Sequence, residues 1–213
     1  MLIFVPPHPL IKHWLAVCRN VGSPSPVFRS AMGELGRILI YEAGREWLPV
    51  VEGEVESPLG VAPCEVIDPA QPIKVVPVLR AGMLLLEDSA TVLPHQQTFH
   101  VGVERDEDTL QPSWYLNKLP ESFAPTDRVL VAETMIATGG TILLVLDEIV
   151  KRGADPTNVR VIAAVCAPPA LQKLSEKYPG MKLYTAMIDE ELNDKGLIVP
   201  GLGDAGDRGY GTE

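Results

Sequence analysis

The chain has 213 residues, 46% of them hydrophobic, and a formal net charge of −10. That acidity argues against a protein that works by coating a nucleic acid backbone, and no run of about eighteen apolar residues offers a membrane span. Length and apolar content suffice for one globular domain, residues 1–213, with a well-buried core.

The N-terminal stretch MLIFVPPHPLIKHWL lacks the basic, apolar and small-residue order of a signal peptide. Cys18, Cys64 and Cys166 are odd in number, far apart and without CxxC or Cys/His spacing, so neither a disulfide framework nor a zinc site is expected. A reducing cytoplasm fits both observations. Next comes SPVFRSAMGELGRILIYEAGREWL, with Val27, Met32, Leu35, Ile38, Leu39 and Trp47 near helical spacing behind Ser/Pro start signals. It predicts a long helix, and residues 1–50 read as an N-terminal helical arm.

From residue 73 a β-branched run, a helix-like run and another β-branched run recur. IKVVPVL (73–79) leads to AGMLLLEDSATVLP (81–94) and TFHVGVER (98–105). RVLVAE (128–133) leads to ATGGTILLVLDEIVKRG (137–153) and NVRVIAAVCA (158–167). PALQKLSEKYPG (169–180) then precedes MKLYTAMID (181–189). Strands alternating with helices of this length imply crossover units, hence an α/β fold with a mostly parallel sheet flanked by helices. Residues 104–120, ERDEDTLQPSWYLNKLP, are too polar for a central strand and are expected to form a flexible flap or hairpin. The tail, LIVPGLGDAGDRGYGTE, holds five glycines after Pro200 and is expected to form no regular element.

Ligands of such folds gather where strands end and loops enter helices. ATGGT, residues 137–141, occupies that place. Gly139 and Gly140 permit a tight turn that exposes successive N–H groups at the positive end of a helix, and Thr138 and Thr141 add hydroxyl donors. Together they suit a phosphate monoester; a plain tight turn with a threonine cap is the alternative. No Walker loop GxxxxGK[ST] occurs. GLGDAG, residues 201–206, spells GxGxxG, but only seven residues follow it and a dinucleotide loop must open a helix inside a crossover unit.

ETMIATGGT resembles the phosphoribosyl pyrophosphate (PRPP) loop of type I phosphoribosyltransferases. PVLRAG (77–82), RDEDTLQP (105–112), YTAMIDEELNDKGLIVPGLGDAGDR (184–208) and the closing YGTE narrow the likeness to uracil phosphoribosyltransferases, from HPLIKH at 8–13 to the C-terminus. The resemblance implies transfer of the phosphoribosyl group of PRPP to uracil, giving UMP and diphosphate, with magnesium carried on PRPP. GTP activates some relatives, and homodimers or homotetramers are usual. No partner nucleic acid or membrane is implied.

By the same resemblance Arg80 and Arg105 contact the diphosphate, where a guanidinium fork suits phosphate oxygens; the plain alternative is a surface arginine paired with a carboxylate. Glu133 faces the ribose hydroxyls, and Thr134, Met135, Ile136, Ala137, Thr138, Gly139, Gly140 and Thr141 complete the PRPP loop. Ile198, Gly203 and Ala205 read uracil through main-chain groups. Asp204 stands between uracil and PRPP or its magnesium, and residues 185–213 form a base-binding hood. Arg80, Arg105, Glu133 and Asp204 are the expected catalytic set. The family usually reads Asp-Pro where this chain has Glu133-Thr134, moving the carboxylate by about one methylene, and a misplacement near 1 Å can cost on the order of a hundredfold in rate. Met83 to Leu86 stand where the family often has another glycine, and a buried helix start is expected there.

A regulatory protein that binds PRPP or UMP with weakened catalysis is the alternative of a different class; an RNA-binding attenuator is disfavoured by the acidic balance. His8, His13, His95 and His100 read as surface or capping histidines, and Asp189, Glu190 and Glu191 as a solvated turn.

Overall fold

The computed structural model describes residues 1–105, without the Arg105 side chain, and 112–212. Three elements precede the repeating units: β1 (Leu2–Phe4), α1 (Pro9–Arg19) and α2 (Ser25–Gly44). His8 caps α1, its Nδ1 accepting the Leu10 N–H at 3.1 Å. α2 is the predicted long helix. It buries Phe28, Met32, Leu35 and Leu39 completely against the sheet, because these side chains recur three and four residues apart on one face. Residues 1–50 are not purely a helical arm, since β1 joins the sheet beside its far strand.

A hairpin follows, β2 (Val50–Ser57) and β3 (Gly60–Ile67), paired only with each other. The rest of the chain supplies β4 (Ile73–Leu79), β5 (Gln96–Thr98), β6 (Val101–Arg105), β7 (Pro112–Asn117), β8 (Val129–Ala132), β9 (Met135–Ile136), α3 (Gly140–Lys151), β10 (Val159–Cys166), α4 (Pro168–Lys177) and β11 (Lys182–Ile188). A last segment holds β12 (Glu191–Leu192), β13 (Ile198–Val199) and α5 (Ala205–Tyr210).

The sheet runs β1-β11-β10-β8-β4-β6-β7, with β5 beside β4 and β9 beside β10. Every pairing in it is parallel except β6 with β7. Its central strands carry almost unbroken apolar runs because both faces are covered: β8 and β10 are buried at every residue. One cluster, including Phe28, Leu39, Leu130 and Ile162, lies under α2; the other, including Val131, Val145, Ile149 and Val161, lies under α3 and α4.

Three expectations need correction. Residues 81–94 form short 3₁₀ turns, Ala81–Leu86 and Ser89–Thr91, rather than an α-helix. Leu84, Leu85 and Leu86 are all buried in succession, which a helix with one buried face would not allow. So the buried helix start expected at Met83 to Leu86 is a buried 3₁₀ turn. The segment 98–105 is two strands, β5 and β6, not one. The tail does contain a regular element, α5. The segment 104–120 does pair as an antiparallel hairpin, β6 with β7, whose residues 106–111 lie outside the described residues.

Candidate active site

Parallel pairing brings the carboxyl ends of β4, β8, β9, β10 and β11 to one edge of the sheet. Three adjoining hollows lie along that edge. The smallest, about 50 Å³, is the predicted phosphate loop, lined by Glu133, Met135, Ile136, Ala137, Thr138, Gly139, Gly140, Thr141 and Ile142. Gly139 caps α3 with φ +87°, a backbone setting that disfavours any side chain, and a Cβ there would also press on Ala170 at 3.2 Å. The loop is therefore tied to α4, and the Lys173 ammonium donates to the Thr138 carbonyl at 2.9 Å. The residues that open α3 line the cup, and their amides lack helical acceptors, as at any helix start.

Next to the cup lies a cleft of about 280 Å³ bounded by Arg80, Glu133, Met135, Thr141 and Asp204. Beyond it opens a largely apolar hollow of about 540 Å³, lined by Thr134, Met135, Ile198, Pro200, Gly203, Asp204 and Ala205 among others. Met135 borders all three spaces, and Asp204 borders the last two. The result is one trough with an anion cup, a polar middle and an apolar end.

Glu133 sits where β8 ends. Its N–H donates to the Ile162 carbonyl, and the Thr134 carbonyl accepts from Ala164 and Val165, so the chain kinks without losing its grip on β10. Thr134 is buried and lines the apolar hollow rather than the cup. Only partly accessible, the Glu133 carboxyl has its pKa pushed up to about 8 by burial, although the Met135 and Thr134 amides pull the other way. Among the described residues no cation stands beside it to hold the charge.

Arg80 reaches the cleft but is ion-paired, its Nη2 3.0 Å from Asp207. Its carbonyl accepts from the Tyr210 hydroxyl at 3.2 Å. The Thr212 hydroxyl, and after it the Arg80 guanidinium, hold the Asp207 carboxyl below its usual range. So the closing YGTE stretch braces Arg80, and the plain alternative for an arginine, a carboxylate partner, coexists with its place at the cleft. The Arg105 side chain lies outside the described residues.

Asp204 caps α5 by accepting the Asp207 N–H at 2.9 Å, with its carboxylate at the junction of cleft and hollow. Ile198 belongs to the short β12–β13 ladder. There Asn193 N–H donates to the Leu197 carbonyl, and Asn193 Oδ1 accepts the Leu197 N–H. Alternation in an antiparallel ladder then turns the N–H and C=O of Ile198 away from Leu192.

The sequence reading missed how this hood is held. Asp189 is not part of a solvated turn. It is 6% exposed and gripped bidentately by Arg19 from the end of α1, with Nη2–Oδ1 at 2.6 Å and Nη1–Oδ2 at 3.0 Å. Nothing in the sequence could signal a partner 170 residues away.

A sequence profile described as uracil phosphoribosyltransferase matches residues 5–212. The chain belongs to the uracil phosphoribosyltransferase family. A protein of that name from Nicotiana tabacum is 58% identical over all of this chain and 95% of its own length, and one from a Nostoc strain is 58% identical over 99% and 97%. Among solved structures, a protein of Aquifex aeolicus is 36% identical over 98% of both chains with a TM-score of 0.88. A hypoxanthine phosphoribosyltransferase from Trypanosoma cruzi is similar in fold alone, at 11% identity and a TM-score of 0.50 over 77% and 76% of the two chains.

The raised Glu133 pKa sets a stability window. A carboxyl whose folded pKa exceeds its unfolded value costs the fold nothing at pH 4 and progressively more as pH rises towards 8, where ionisation becomes unavoidable. Glu133→Gln, neutral throughout, is therefore expected to melt close to the parent at pH 4.5 and at least about 4 °C higher at pH 8.5, on the scale of about 2–4 °C per kcal/mol for this size. A constant difference between the two pH values would contradict the assignment.

Proposed function

We propose that this protein transfers the phosphoribosyl group of PRPP to uracil, giving UMP and diphosphate. The observation that carries the reading is the order of the trough: anion cup, polar cleft, apolar hollow. That is the order of the 5′-phosphate, the ribose with its diphosphate, and the base.

The reaction breaks the bond between the anomeric carbon and the diphosphate oxygen and forms one to uracil N1, through an oxocarbenium-like ribose, while the N1 proton leaves to the departing diphosphate. Little covalent work falls to the protein, which must hold a polyanion and a planar base in line. The 137–141 loop anchors the 5′-phosphate. Glu133 faces the ribose hydroxyls, and hydroxyl donors there would favour its ionised form. Arg80, with Arg105, takes the departing diphosphate, which displaces Asp207 from the guanidinium because a diphosphate carries more charge than one carboxylate. Glu133 and Asp204, both at the cleft, would supply hard oxygen donors that suit magnesium, an ion that usually keeps water and substrate phosphates in its shell. When bound, it would neutralise charge on the leaving diphosphate.

Uracil presents acceptor, donor, acceptor along one edge, and the main-chain groups of Ile198, Gly203 and Ala205 answer it. Cys18 and Cys166 have no part, since burial pushes their thiols up to about 12. None of the described helices is long and apolar enough to cross a membrane, which is compatible with the cytoplasmic site we propose.

We also propose a homodimer or larger assembly. Support comes from the β2–β3 hairpin, which exposes Val50, Val51, Val55, Leu59, Val61 and Val66. A lone two-stranded hairpin is marginal in water, and an equal surface on a second copy would cover it.

Two measurements check these readings. Turnover of uracil with PRPP should be readily detected, with kcat/KM for cytosine lower by about 10⁴, because the amino group leaves buried main-chain donors unpaired; comparable values for both bases would remove the hood from the base site. In the same assay Arg80→Ala should lower kcat by about a hundredfold or more while UMP affinity changes little, since UMP lacks the diphosphate. For assembly, Val55→Glu with Val61→Glu should reduce the mass seen by light scattering to that of one chain; an unchanged mass would exclude the hairpin from the interface.

A further inference from the structure

The hood carries the base-reading groups, and its own regular elements are short, the β12–β13 ladder and α5. Two arginines pointing in opposite directions join it to α1. Arg208 leaves α5 and donates to the carbonyls of Cys18 at 2.5 Å, Asn20 at 2.7 Å and Leu202 at 2.6 Å, with its guanidinium 4.3 Å above the Phe28 ring. In the other direction Arg19, the last residue of α1, pairs with Asp189. Asp189 is itself fixed at the end of β11, its N–H donating to the Cys166 carbonyl at 2.9 Å.

The Arg19–Asp189 pair has one further contact on each member, and both go to the same residue. The Gly201 N–H donates to Asp189 Oδ2 at 3.0 Å, and the Gly201 carbonyl accepts from Arg19 Nη1 at 3.1 Å. Gly201 is buried at φ +59°, and a Cβ there would lie 2.3 Å from the Ile198 carbonyl oxygen, so this backbone is pressed against the residue that faces the base hollow. Two residues further on is Gly203.

We propose that Arg19 and Asp189 are positioning residues for the base, resting on the uracil reading above. By holding both polar groups of Gly201, the pair fixes the span from Ile198 to Gly203 on which the main-chain readers are mounted, and so it sets the affinity and selectivity for uracil without touching it. An ion pair retained only for stability would not need both its spare hydrogen bonds on one glycine of the base loop. Largely desolvated pairs of this kind add little to stability alone, because well-packed apolar replacements often match them.

The test follows from that property. Arg19→Met with Asp189→Leu removes the pair without leaving an unpaired buried charge. This double variant is expected to fold, to raise KM for uracil about tenfold or more, the scale of one or two lost hydrogen bonds, and to leave KM for PRPP within about twofold. UMP should bind about tenfold more weakly and ribose 5-phosphate as before. Arg19→Lys, which keeps the charge but cannot reach both Asp189 oxygens and Gly201 in one plane, should fall between parent and double variant, and it decides the matter by the same split if the double variant does not fold. Unchanged KM for uracil, or equal rises in both KM values, would overturn the proposal. If the parent itself fails to use uracil, the family reading fails instead.

Discussion

Parallel pairing of β4, β8 and β10 is the constraint on which the rest of the structure depends. Because these strands run the same way, none can be joined to the next by a tight hairpin, and the loops leaving their carboxyl ends all open at the same edge. Val76 opposite Val131 and Val131 opposite Val161 fix the register, and an apolar residue at almost every position keeps both faces closed. Site residues far apart in sequence are thereby delivered to one line: Arg80 after β4, Glu133 after β8 and Asp189 after β11. The phosphate loop then lies between β9 and α3, where a helix start provides amides and positive potential.

The acidity of the chain, a net −10, acquires meaning in this setting. On the reading proposed above, a polyanionic substrate is drawn in not by overall charge but by a few placed donors, namely a glycine-rich loop and Arg80, whose resting partner is a carboxylate. Asp207 holds Arg80 at the cleft. Glu133 shows the opposite arrangement. Its carboxyl is recessed with no cation beside it among the described residues, and burial pushes its pKa up, which makes charge costly there.

Much of this was legible in the sequence where the physics is local. The β-branched runs of β4, β8, β10 and β11 announce buried parallel strands, the spacing in α2 announces its face, and ATGGT carries its own reason for opening a helix. The hood residues Ile198, Gly203, Asp204 and Ala205 do meet at one hollow, although their identification came from likeness rather than from spacing. What escaped was non-local or had no buried face to declare it. VEGEVES in β2 alternates Val51 and Val55 with Glu52, Glu54 and Glu56, but the strand is exposed almost throughout, so that side marks no core. The triple leucine at 84–86 looked helical because it is apolar, yet burial on all sides permits a 3₁₀ turn. Asp189 sat in an acidic run that resembles a surface turn, and only the fold brings Arg19 to it.

The central claim is that the three hollows are one site, filled in the order phosphate, ribose, base. Determining the structure of the protein with UMP bound tests it most directly. The account predicts the phosphate within hydrogen-bond reach of the 137–141 amides, the ribose hydroxyls beside Glu133, and the uracil edge against the main chain of Ile198, Gly203 and Ala205. A nucleotide with its base outside the hood, or with its phosphate away from the loop, would contradict it.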